Sequence, residues 1–165
     1  MDTLGNIVFY LTLLAALGSG LIAGVFFAFS SFVMRALGRL SPPEGIAAMQ
    51  SINIAVINPV FLGVFLGTAL FSVVLAIYAT TQWQRYGAAY LLVGCLLYFV
   101  GTFLVTIIFN VPLNNALAAV DPTNPDSLAI WNNYLSRWTL WNHIRTVAAL
   151  ASTASLIFAF VRRAA

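Results

Sequence analysis

Acids, lysine, cysteine and histidine are all scarce in this chain: among 165 residues there are four acids, no lysine, one cysteine and one histidine. The lone thiol, Cys95, excludes an intrachain disulfide, a CxxC redox pair and a thiolate metal cluster, and is expected as a buried structural group. Catalytic zinc takes about three protein ligands, and non-haem iron two histidines and a carboxylate. His143, with Glu44 as the nearest plausible acid, completes neither set, and a haem would have to pair it with a distant Met34 or Met49. The expectation is a protein with no metal or other cofactor. The seven arginines are scattered and leave a net charge of only +3, so they form no nucleic-acid footprint. The long apolar runs hold no Asp or Glu, which removes the usual proton relay of a coupled transporter, and no ring of charge suggests a channel filter.

Apolar surface is abundant. Hydrophobic residues make up 62% of the chain and charged ones 7%, against roughly 45–50% apolar in soluble domains. Apolar windows fall at about Gly5–Met34, Ala55–Thr81, Gly87–Phe109 and Trp141–Val161, each near or above the roughly 20 residues that cross a bilayer. Backbone groups left unpaired in hydrocarbon cost several kcal/mol each, so the windows must be helices. The expected fold is all-α: one integral-membrane, up-down four-helix bundle over residues 1–165, with short interfacial helices in the first and third connections. The first window follows Asp2 without a basic segment and runs from about Ile7 to Val33. That exceeds the roughly 7–15 residues of a signal-peptide core, so it reads as a span.

The first connection, Leu37–Asn53, carries Ser41 ahead of Pro42-Pro43-Glu44, a helix-start signature. The second, Gln82 to Tyr86, is a tight turn. The third, Val111 to Leu140, holds the turn cluster Asp121 to Asp126 and then an aromatic amphipathic stretch. Gly20/Gly24 and Gly63/Gly67 are expected to form smooth strips for close helix approach.

Polar residues crowd one end of this bundle. Ser30, Ser31 and Arg35 close the first span; Asn53, Asn58 and Pro59 open the second; Asn110, Pro112 and Asn114 close the third; Arg137, Trp138, Trp141, Asn142, His143, Arg145 and Thr146 open the fourth. The other end has Asp2, Gln82, Trp83, Arg85, Arg162 and Arg163, which read as interfacial anchors and flanking charges. Arg85, Arg162 and Arg163 stand against Arg35, Arg39, Arg137 and Arg145. Setting Arg137 and Arg145 aside as site residues favours a cell inner membrane with both termini cytoplasmic.

Helical spacing places Trp131, Tyr134, Trp138, Trp141 or Asn142, and Arg145 on one face, mixing flat aromatic surface with positive charge. An aromatic belt with headgroup-binding arginines is the structural explanation. Arg145 lies about one turn inside the span, where an ionisable side chain is paired, hydrated or functional. His143 is the natural proton acceptor near neutral pH, with packing as its structural alternative. Asn58, Asn110, Asn114 and Asn142 are helix-end amides that could also stabilise an enolate or peroxide anion.

Phe26–Met34, Met49–Asn53, Asn58-Pro59, Phe109–Asn114 and Trp138–Thr146, in that order, resemble the anthrone oxygenase-like family, formerly a domain of unknown function. The resemblance implies oxidation of an anthrone-like or other electron-rich aromatic by O2 to a quinone, without flavin, haem or metal. It suggests that His143 takes a proton, while Arg145, Asn142 and Asn58 stabilise the enolate. Trp138 and Trp141 would pack on the flat substrate, with Asn110, Asn114 and Arg137 completing the binding site. The alternative is a non-catalytic membrane protein that binds a lipid- or quinone-like ligand, or an accessory subunit. A homo-oligomer would be compatible with either.

Overall fold

Five helices are present in the computed structural model, which describes residues 3–164, with side chains through Arg162. The sequence places flanking charges at Asp2 and on the side chain of Arg163, and both lie outside what is described. We label the helices α1 (Thr3–Leu37), α2 (Pro42–Ala55), α3 (Pro59–Thr81), α4 (Ala88–Ala118) and α5 (Ser127–Ala164). All but α2 are long and apolar enough to cross a membrane, so the chain is a multi-pass helical membrane protein.

Local chemistry sets the helix ends. The Ser41 N–H and Oγ both donate to the Glu44 carboxylate, at 3.2 and 2.6 Å, and Pro42 begins the helix where no N–H is needed. These bonds hold the Glu44 carboxyl below its ordinary value of 4.5. Asn58 caps α3: its Oδ1 accepts from the Val60 and Phe61 amides at 3.1 and 3.0 Å, while its Nδ2 donates to the Ala55 carbonyl. Ahead of α5, Asp121 accepts from the Thr123 amide and hydroxyl, which lowers its carboxyl pKa.

The four spans form a ring in which α1 packs against α3 and α5, and α4 packs against α3 and α5. On α1 the inward stripe is Gly5, Val8, Thr12, Ala15, Ser19, Ile22 and Phe26, alternating steps of three and four. Leu13, Leu17 and Leu21 face outward. In water each would forfeit about 1.5–3 kcal/mol of burial, a cost that lipid tails remove. Inside, hydroxyls bond neighbouring backbones: Ser19 donates to the Ala149 carbonyl, Ser152 to Gly94 and Ser155 to Tyr90, at 2.7 to 3.0 Å.

Two expectations need correction. Close helix approach does not centre on the Gly20/Gly24 or Gly63/Gly67 strips: a Cβ at Gly24, Gly63 or Gly67 would meet nothing within 4 Å, and one at Gly20 would make only ordinary contact with Thr153 at 3.6 Å. The buried stripe of α3 runs through Phe65, Thr68, Ser72, Leu75 and Ala79, rotated away from those glycines. Gly18 against Thr68, Gly94 against Leu156 and Gly101 against Ala148 are tight crossings, a Cβ lying 2.9 Å from Leu156 Cγ and 2.6 Å from Ala148 Cβ in the last two. The third connection does hold a short helix, Val111–Ala118, but it is continuous with α4 through Pro112, and α5 already starts at Ser127. A π turn over Thr106–Asn110 precedes the proline, so the residue lacking an N–H follows a point where the α ladder has already shifted.

At 1.5 Å per residue, the 38 residues of α5 extend about 57 Å, nearly twice a hydrocarbon core, whereas the 23 of α3 extend about 35 Å. The excess lies at the polar end. There α2 and the overhanging ends of α1, α4 and α5 enclose a cap core of Met34, Leu37, Ile46, Met49, Leu117, Trp131, Tyr134 and Trp138. Gln50 ties it together, donating to the Leu117 and Val120 carbonyls at 2.9 and 3.0 Å, at and just beyond the C-terminal end of α4.

Candidate functional site

Beneath this cap a polar ladder joins α4 to α5. An i, i+4 series on an α-helix drifts about 40° per step, and the wider π turns of α4 at Phe99–Leu104 and Thr106–Asn110 offset that drift. Thr102, Thr106, Asn110 and Asn114 therefore all face α5. Thr102 Oγ1 donates to the Arg145 carbonyl at 3.5 Å, and Asn110 Nδ2 to the Trp138 carbonyl at 3.2 Å. Asn114 Oδ1 accepts from both Tyr134 Oη and Trp138 Nε1 at 2.8 Å.

Arg145 is the centre of this arrangement. It is 3% exposed, and no carboxylate occurs in any span. Its Nη2 donates to Asn142 Oδ1 at 2.8 Å and its Nη1 to Thr106 Oγ1 at 3.2 Å. Its Cζ lies 4.1 Å from the centre of the Phe26 ring and 5.1 Å from that of Trp138. Nε is buried and has no hydrogen-bond partner among the described residues. Asn142 is fully buried; its Nδ2 donates to the Phe26 carbonyl and to Ser30 Oγ, both at 2.8 Å. Ser30 in turn meets Thr146 at 3.0 Å. A guanidinium in low dielectric with only neutral amide, hydroxyl and ring partners keeps an uncompensated field, which an anionic or electron-rich oxygen would satisfy.

That field opens into a cavity of about 430 Å³, a size typical of small-molecule sites. Arg145, Trp138, Asn114, Asn115, Asn53 and Thr106 are its polar lining; Phe26, Phe29, Phe61, Phe65, Met49 and Ile52 are among its apolar walls. It lies where α3 diverges from α4, since α3 follows residues 88–104 and packs little against the rest. Leu66, Ile107 and Ile57 line the cavity and are also exposed on the outside of the bundle, so it communicates with the apolar surroundings.

The structure brings Arg145, Asn142, Trp138, Asn110 and Asn114 into one group. It does not bring the other candidates there. His143 is exposed on the outer face of α5, because two residues before Arg145 is about 200° around the helix. Arg137 is exposed for the same reason, one residue before Trp138. Its position also returns the arginine balance to Arg85, Arg162 and Arg163 against Arg35, Arg39 and Arg137, so the inferred orientation loses its margin. Asn58 has its amide engaged as the α3 cap, and Trp141 stacks on Phe109 at 3.6 Å with neither ring lining the cavity. Thr102, Thr106 and Phe26 were missed by the sequence-level argument. The signal for the threonines was a polar i, i+4 series inside an apolar run.

The profile of the family described as Anthrone oxygenase matches residues 59–155. Comparison with curated proteins and with solved structures gives no match.

Proposed function

The chain belongs to the anthrone oxygenase family, and on that premise we propose that the Arg145 cavity binds a planar, electron-rich aromatic of the anthrone type and promotes its oxidation by O2 to a quinone. The observation that carries this is one buried arginine, 3% exposed, without a carboxylate in any span, lining an aromatic-walled cavity. Arg145 and Thr106 flank the position an enolate oxygen would take, and Asn142 holds the guanidinium in place. Phe26, Phe29 and Trp138 supply flat walls for the rings. Enolate formation releases the methylene proton to water at the cap end of the bundle. The enolate carbon then gives electrons to O2 and forms a C–O bond, and the resulting peroxide anion takes a proton back from water, yielding a hydroperoxide. Loss of water from it leaves the quinone carbonyl, so that one O2 becomes the new carbonyl oxygen and one H2O.

O2 uptake by purified, metal-analysed protein in detergent with a simple anthrone, against a no-protein control for autoxidation, tests this. Arg145→Met should lower the catalysed rate roughly 10²–10³-fold, the usual effect of removing one anion-stabilising donor. A folded variant with wild-type turnover, or wild type no faster than autoxidation, overturns the proposal. His143 lies outside the cavity, so His143→Ala should keep its turnover; loss there would restore a proton-transfer role for the histidine.

The second reading, a membrane protein that binds a lipid- or quinone-like ligand without turnover, is favoured by one observation: among the described residues no histidine or carboxylate lines the cavity. Saturable binding of an anthraquinone that fails in Arg145→Met, with no O2 consumption, would select it.

A further inference from the structure

A second cavity, about 570 Å³, lies at the opposite end of the bundle, between the start of α1, the α3–α4 turn and the end of α5. Gly87 makes it possible. Its φ is 88°, a left-handed conformation, and a Cβ there would come 3.0 Å from the Ala159 carbonyl and 3.5 Å from Arg162 Cβ. The turn thus closes directly onto α5, and Arg85 and Arg162, distant in sequence, line one cavity. Arg85 Nη1 lies 3.4 Å from Tyr78 Oη, which also lines it. Among the described residues no acid does. Deeper in, Val8 and Leu91 form a buried apolar floor.

We propose that this cavity is a binding site for an anionic phospholipid, with the phosphodiester between Arg85 and Arg162 and the start of an acyl chain along Val8 and Leu91. Paired guanidiniums suit phosphate oxygens. Free phosphate shares that chemistry, but the buried apolar floor of Val8 and Leu91 serves only a ligand with a hydrocarbon part. The position at the end of the spans is where headgroups lie. The site is separate from the Arg145 cavity and stands whether or not that cavity is catalytic.

Native mass spectrometry of the full chain in detergent tests it, with phosphatidylglycerol and phosphatidylcholine offered in mixed micelles and inorganic phosphate as a competitor. Wild type should retain phosphatidylglycerol in preference to phosphatidylcholine. Arg85→Gln and Arg162→Gln should each weaken retention about fivefold, the effect of one arginine at an anionic lipid surface. The charge-matched single variant Arg35→Gln, altered at the other end, should not. Equal retention of the two lipids by wild type overturns the proposal even if the variants fold poorly. An equal loss in the charge-matched variant reduces it to nonspecific attraction, and competition by inorganic phosphate as strong as by the lipid replaces it with a free-anion site.

Discussion

The two ends of the bundle use arginine in opposite ways. At the cap end Arg145 is enclosed by α1, α4 and α5, with its guanidinium hydrogen-bonded to Asn142 and Thr106 and covered by the rings of Phe26 and Trp138. At the terminal end Arg85 and Arg162 are exposed, brought together by a glycine turn. A charge in low dielectric acts strongly on whatever shares its cavity, whereas an exposed one is screened within about 10 Å at moderate salt. The first arrangement suits chemistry on one bound molecule, and the second suits modest affinity for the membrane surface.

The contrast is sharpest in activity. Arg145→Met should remove most anthrone-dependent O2 uptake, whereas Arg85→Gln/Arg162→Gln should leave that uptake unchanged and alter only lipid retention. Loss of oxidation in the terminal-end variant would break the separation of the two sites. Next in size is Asn142→Leu, which keeps the branching but strips Arg145, Ser30 and the Phe26 carbonyl of a shared partner. It should cost about 1–3 kcal/mol, seen as a lower thermal midpoint in detergent, together with reduced turnover. An unchanged midpoint would mean that the buried network does not hold the arginine. Trp138→Phe retains an aromatic ring but deletes the indole donor to Asn114. It should cost about 1 kcal/mol and raise KM for the aromatic substrate more than it lowers kcat.

The smallest effect concerns the cap. The folded Glu44 carboxyl sits below its ordinary 4.5, mainly through the bond from the Ser41 hydroxyl. Its contribution is therefore complete above that value and is lost as pH falls through the lower folded value. Glu44→Gln should be slightly less stable than wild type at neutral pH, and the gap should close in acid. A gap that is independent of pH would show that the carboxylate does not stabilise α2.

The fold was largely legible because hydrocarbon imposes helices on any long apolar run, and Ser41, Asn58 and the Asp121 turn mark helix boundaries by local chemistry alone. The site was legible in part. Arg145, Asn142, Trp138, Asn110 and Asn114 could be nominated because polar groups near a membrane core are costly. His143 was nominated for its titration chemistry, which says nothing about which way a helix faces. Thr102 and Thr106 left a signal, a polar i, i+4 series, but on a regular α-helix that series drifts around the axis, and the π turns that hold it on one face are not visible in a residue list.

Composition and periodicity alone determined that this protein spans a membrane as a helical bundle with a polar end, because water–lipid partitioning and backbone hydrogen bonding act on each segment separately. Only the tertiary structure decided which face of each helix turns inward. Burial of Arg145 and exposure of His143 follow from that rotation, which is set by how small and large side chains interlock between helices, and the close approach of the Gly87 turn to α5 puts Arg85 and Arg162 on one cavity.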